Sequence, residues 1–89
     1  MTKQEIINKL VFYIEDCFNM SSVSLNEKSV LADFSPDELD EMMFLAEIEI
    51  DFDADLRQVY GQKLLTTPLF EIAEYLEKHS NPNPNLSHN

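Results

Sequence analysis

The sequence predicts an all-α domain, a bundle of three long helices and one short one. Apolar residues recur at helical spacing in separate stretches, Thr and Ser stand with Pro or Glu at the spacings that start helices, and no stretch carries strand signals. The chain has 89 residues, enough for one small domain and not for two. Apolar residues make up 44% of it, enough for a core, yet a domain near this size hides only about 60% of its unfolded surface. Little interior is left for a large buried cofactor.

Thr2 and Glu5 form a T-x-x-E capping box. Ile6, Ile7, Leu10, Val11, Ile14 and Phe18 follow at helical spacing, so a first helix is expected over 3–18 with one stripe toward a core. From Asn19 to Phe34 the pattern dissolves into an ordered but irregular connection, whose apolar residues Val23, Leu25, Val30 and Leu31 anchor it to the bundle. Ser35, Pro36 and Glu38 read as a second start: a cap, a proline at the first helical position, and acid at the positive end of the dipole. That helix is expected over 36–51. A short third helix follows over 53–62, stopped near Gly61, the only glycine, in a left-handed conformation. Thr67-Pro68 repeats the cap-and-proline signature ahead of the stripe Leu69, Ile72, Ala73 and Leu76, with Lys78 and His79 suited to the negative end of the fourth helix. Residues 1–79 thus form the helical domain. Residues 80–89, rich in Pro, Asn and Ser, leave nothing to bury and read as a disordered tail.

There are 17 acidic residues and 6 basic ones, a formal charge of −11. Phosphates repel such a surface, so direct nucleic-acid binding is excluded and basic proteins are the expected partners. The same charge favours a monomer when the chain is free. Cys17 is the only cysteine, which rules out an intrachain disulfide and points to a reducing compartment. The start of the chain lacks a basic stretch followed by a long apolar run, and nothing approaches the roughly 20 apolar residues that span a bilayer. The reading is a soluble, cytoplasmic protein that does not enter membranes.

The second helix is unusual in carrying two apolar stripes. At about 100° per residue, Phe44, Leu45, Ile48 and Phe52 fall on one side, and Leu39, Met42, Met43, Ala46 and Ile50 on the roughly opposite side. Asp40, Glu47 and Asp51 line one border between them, with Glu41 and Glu49 elsewhere. One stripe suffices for a surface helix. A central helix with both stripes covered is the plain explanation. The functional one is that the Met-bearing stripe is exposed and docks a partner, because leaving Leu39, Met42, Met43 and Ile50 wet forfeits about 1.5–3 kcal/mol each and adaptable Met surfaces recur at binding sites.

At Asp33-Phe34-Ser35-Pro36-Asp37-Glu38-Leu39-Asp40 the sequence resembles the acyl carrier protein family, whose hallmark D-L-G-x-D-S-L opens the second helix. The similarity continues through Phe44-Leu45-Ala46, Ile48-Glu49 and Phe52-Asp53 to Leu56, and more loosely through Thr66-Thr67 and Ile72-Ala73-Glu74-Tyr75-Leu76. It covers about half the chain at motif level and implies an acyl-carrier-protein-like four-helix bundle. The family serine that carries the phosphopantetheine arm is matched here by Glu38, which offers no hydroxyl for the phosphodiester, and the family glycine by Ser35. The resemblance therefore implies a carrier fold with no prosthetic group. It also implies that Phe44, Leu45, Ile48 and Phe52 belong to the core, and that Leu39, Met42, Met43, Ala46 and Ile50 lie on the face that basic partner enzymes read. Met43 and Ile50 stand where many relatives carry acids, which makes this face greasier.

Other candidate sites fail on their own chemistry. Asp51-Phe52-Asp53-Ala54-Asp55 has the D-x-D-x-D opening of a calcium loop, but Leu56 stands where the loop needs glycine and Gln62 where it needs a bidentate acid. His79 and His88 lack ligand-spaced neighbours. Cys17, beside Ile14 and Phe18, reads as a buried inert thiol. No nucleophile stands beside a base, so no enzymatic activity, metal or cofactor is expected.

The expected function is a non-enzymatic acidic binding module that docks a basic protein through its second helix. Leu39, Met42, Met43, Ala46 and Ile50 are its anchors, and Asp40, Glu41, Glu47, Glu49 and Asp51 its charged rim. One form of it is an immunity protein or antitoxin covering the basic groove of a nuclease toxin; an acyl-chain enzyme is the other partner class. The alternative is an acyl carrier modified at an atypical serine, such as Ser35, in lipid or polyketide synthesis. A structural subunit of a larger assembly is a third expectation.

Overall fold

In the computed structural model, which describes residues 1–18, 25–34 and 37–79, every regular element is helical. Helix α1 runs Lys3–Cys17, α2 Glu38–Phe52, α3 Leu56–Tyr60 and α4 Leu69–His79. The bundle has three long helices and one short one, as the periodicity requires. The expected tail at 80–89, the anchor Val23, and the Ser35-Pro36 start all lie outside the described residues.

The capping box of α1 is complete. The Glu5 amide donates to Thr2 Oγ1 at 3.2 Å, and the Thr2 amide donates to Glu5 Oε1 at 2.8 Å. The bond from the Thr2 amide, and after it one from the Thr2 side chain, favour the charged form and hold the Glu5 carboxyl below the usual carboxylate range. Thr2→Ala removes the acceptor and is expected to lower stability by about 1 kcal/mol, read from the midpoint of a urea melt. Phe18 is the C-cap rather than the last helical residue, its amide donating to the Ile14 carbonyl at 2.9 Å.

Helix α2 starts later than expected. Its N-cap is Asp37, whose Oδ1 accepts the Asp40 amide at 2.8 Å, and Glu38, Asp40 and Glu41 fill the first turn. Asp caps as well as Ser, and its charge also faces the positive end of the helix dipole. At the other end α2 reaches Phe52 and stops on Asp53, which adopts the left-handed conformation (φ 53°, ψ 44°). The third helix therefore does not begin at Asp53. It begins after Asp55, whose Oδ1 accepts the Gln58 amide at 3.1 Å, and ends on Gly61 at φ 57°. The positive φ at Gly61 agrees with the expected stop, but the chain continues as a 3-10 helix over Gly61–Thr66.

The connection ahead of α2 is more regular than the sequence indicates. Leu31–Phe34 forms a 3-10 turn with Leu31 fully buried. Asn26 closes a tight turn before it: its side-chain oxygen accepts the Lys28 amide at 2.8 Å, and its own amide donates to Ser29 Oγ at 3.0 Å. The turn then caps a distant helix. The Leu69 amide donates to the Ser29 carbonyl at 3.0 Å, and the Phe70 amide to the Glu27 carbonyl at 2.8 Å. These bonds satisfy amides at the start of α4 that no earlier turn of that helix can reach. Thr67 is not the side-chain cap it resembles, since its hydroxyl donates to the Lys63 carbonyl at 2.6 Å.

The core gathers Ile6, Leu10 and Ile14 of α1, Phe44, Ile48 and Phe52 of α2, Leu56 of α3, and Leu69, Ile72 and Leu76 of α4. Helix α1 packs mainly on α4 and α2. Lys9 Nζ lies 3.8 Å from Asp51 Oδ2, and the Phe18 and Phe44 rings are 5.9 Å apart, so α1 and α2 run antiparallel. Glu74 on α4 sits 3.4 Å from both Lys3 and Lys78, and these cations hold its carboxyl below the usual range. Cys17 is buried and unpaired, and loss of solvation, reinforced by Asp16, Glu47 and Asp40, pushes its thiol up. Tyr13 is also buried, and its hydroxyl has no hydrogen-bond partner among the described residues. Tyr13→Phe removes that stranded polar group and is expected to raise the melting temperature, by about 1 kcal/mol of stability; a fall would reveal a bond to the hydroxyl.

Candidate protein-docking face

The fold turns one of the two stripes of α2 inward and leaves the other bare. Phe44 and Ile48 are wholly buried and Phe52 nearly so, with Leu45 half-buried against them. On the opposite side Leu39 is 66% exposed, Met42 54%, Met43 47% and Ile50 61%, and Ala46 is exposed between them. Phe44, Ile48 and Phe52 join the buried cluster that also holds Leu31, Leu56 and Leu64, and the Phe44 ring lies 5.9 Å from that of Phe18 at the end of α1. No segment among the described residues covers the Met-bearing side, so the described helices do not make α2 a central helix with both stripes sealed.

The carboxylates divide into two groups. Glu38, Glu47 and Glu49 are exposed, Asp40 is half-buried, and none of the four makes an ion pair among the described residues. Glu41 and Asp51 are half-buried and turned to cations of the same chain. Glu41 Oε1 lies 2.9 Å from Arg57 Nη2, tying α2 to α3, and Asp51 pairs with Lys9 of α1. Both ties touch solvent, so each stabilises by less than about 1 kcal/mol. Their effect is on the rim: they leave Asp40, Glu47 and Glu49 as the rim carboxylates open to a visitor.

Some features escape sequence reasoning. Val59 on α3 is 47% exposed and Phe12 on α1 63% exposed. Phe12 was legible in principle, because it falls opposite the Ile6–Ile14 stripe at 100° per residue; Val59 was not, because five residues show too little periodicity. Beside the Glu41–Arg57 pair is a shallow cleft of about 290 Å³ lined by Gly61, Gln62 and Leu65. It holds no convergent set of polar groups suited to a small substrate.

The acidic run after α2 is occupied with local work. Asp51 pairs with Lys9, Asp53 ends α2 and Asp55 caps α3, while Phe52 and Ala54 between them are buried. Among the described residues no group of three or more His, Cys, Asp or Glu is placed to hold a metal ion. Nor is any helix among them long and apolar enough to cross a membrane. No family model, curated protein or solved structure matches the chain.

Proposed function

We propose that this chain is a non-enzymatic, acidic protein-binding module with an acyl-carrier-like bundle that lacks the prosthetic-group serine, and that it docks a basic protein through the outer face of α2. The observation that carries this reading is the exposure of Leu39, Met42, Met43 and Ile50 on a helix whose other side is sealed. An apolar strip held in water at the cost of its own burial fits a surface kept for another molecule. The helix order and the position of Glu38 at the first turn of α2 support the carrier-like ancestry. The formal charge of −11 supports a basic partner, a monomeric free state and fast, charge-steered association in the cytoplasm. A nuclease toxin held inactive by an immunity protein or antitoxin is the form that matches best, since covering a basic groove inhibits without any chemistry.

The test is capture of the partner from the native cells on the tagged chain. The Met42→Asp and Ile50→Asp variants are expected to keep the wild-type melting curve and to lose the partner. Variants that still hold the partner would move the docking site off α2 and end this reading.

A further inference from the structure

The exposed side of α2 has a register as well as a composition. Leu39, Met43, Ala46 and Ile50 follow at intervals of four, three and four residues, the alternation of d and a positions in a coiled-coil heptad. On that register Asp40 and Glu47 occupy e positions, and Met42 and Glu49 occupy g positions. The residues that build this domain's own core, Phe44, Ile48 and Phe52, take b, f and c, the positions that a two-stranded coiled coil leaves to solvent. Helix α2 folds on its back and presents an unused seam.

We infer that this seam receives one helix of the partner protein, an amphipathic helix with apolar a and d residues and Lys or Arg at e and g. The inference rests on the docking role proposed above and names the element that docks. Charge selects the sign of the visitor: Asp40, Glu47 and Glu49 border the seam without an ion pair among the described residues. A second copy of this chain would set carboxylate against carboxylate. Shape selects a helix. Ala46 stands in the middle of the seam, and a small side chain there admits another helix to an axis separation near 8 Å, the close end of the usual range. Length agrees, because Leu39 to Ile50 covers about 17 Å, three turns of contact. A helix so short is marginal by itself, so its owner is a folded basic protein.

The test titrates the isotopically labelled full chain with a synthetic three-heptad peptide carrying Leu at a and d and Lys at e and g. Amide shifts are expected along the outer face of α2, at Met43, Ala46, Glu47 and Ile50. The same peptide with Glu at e and g is expected to leave the spectrum unchanged. Replacing two of the three open rim carboxylates, Glu47→Lys with Glu49→Lys, should reverse the preference, and Ala46→Tyr should weaken the Lys peptide about tenfold with the melting curve unaltered. A scrambled peptide of the same composition that binds equally well, or shifts that fall outside α2, would overturn the helical occupant. If Ile50→Asp loses the captured partner while the heptad peptide is ignored, the docking face stands and its helical visitor does not; if Ile50→Asp keeps the partner, both fall.

Discussion

Ile48→Asp is expected to strip the domain of about 4 kcal/mol or more of its stability at neutral pH, while Ile50→Asp, two residues along the same helix, leaves it folded and unable to hold its partner. Ile48 is wholly buried among apolar neighbours, and Ile50 is 61% exposed. A carboxylate at Ile48 would lose the burial of the isoleucine and would itself be stranded without a cation, a combined loss of about 4 kcal/mol or more. A domain of this size has about 5–15 kcal/mol in total. At Ile50 the new carboxylate stays in water, and the fold changes by less than about 0.5 kcal/mol. For binding the order inverts, since a charge in the middle of an apolar contact must be desolvated when the partner arrives. Circular dichroism melts and partner capture, measured on both variants, separate the two effects. Unfolding by Ile50→Asp would place the second stripe in the interior after all.

The second large effect is all-or-none. Exposed to a broad-specificity phosphopantetheinyl transferase, the wild-type chain is expected to keep its mass, and Glu38→Ser is expected to gain one phosphopantetheine group. Glu38 is exposed at the first position of α2, directly after the Asp37 cap and before Leu39. The substitution creates an Asp-Ser-Leu triplet at the start of that helix, on an exposed side chain. Modification of the variant alone supports a carrier fold that lost its attachment point. Modification of the wild-type chain would instead mark a working carrier with an atypical serine, and an inert variant would remove the carrier-like ancestry.

What the sequence made legible was what depends on near neighbours. The Thr2–Glu5 box, the stop at Gly61 and the sorting of α2 into two stripes all follow from spacings of three or four residues, and the structure agrees with each. The errors arise where two local solutions compete or where the partner is remote. Helix α2 starts on Asp37, an acid that caps as well as serine does and stands two residues after the start the pattern favours. Thr67 has an equally good use for its hydroxyl on the Lys63 carbonyl, four residues back, which no pattern of caps and prolines reveals. The candidate face was legible as a stripe but not as a rim, because the cations that occupy Glu41 and Asp51 come from Arg57 and Lys9, on other helices.

The bonds from Leu69 and Phe70 to the Ser29 and Glu27 carbonyls have a consequence for tolerance to change. They make the beginning of the last helix depend on a stretch of chain some forty positions upstream. Peeling that stretch away would uncover both amides at once, so their hydrogen–deuterium exchange should track a single opening event shared with the turn. Lengthening the chain inside 26–31 would shift both carbonyls out of reach, so the segment tolerates insertion poorly even though Asn26, Glu27 and Lys28 face water.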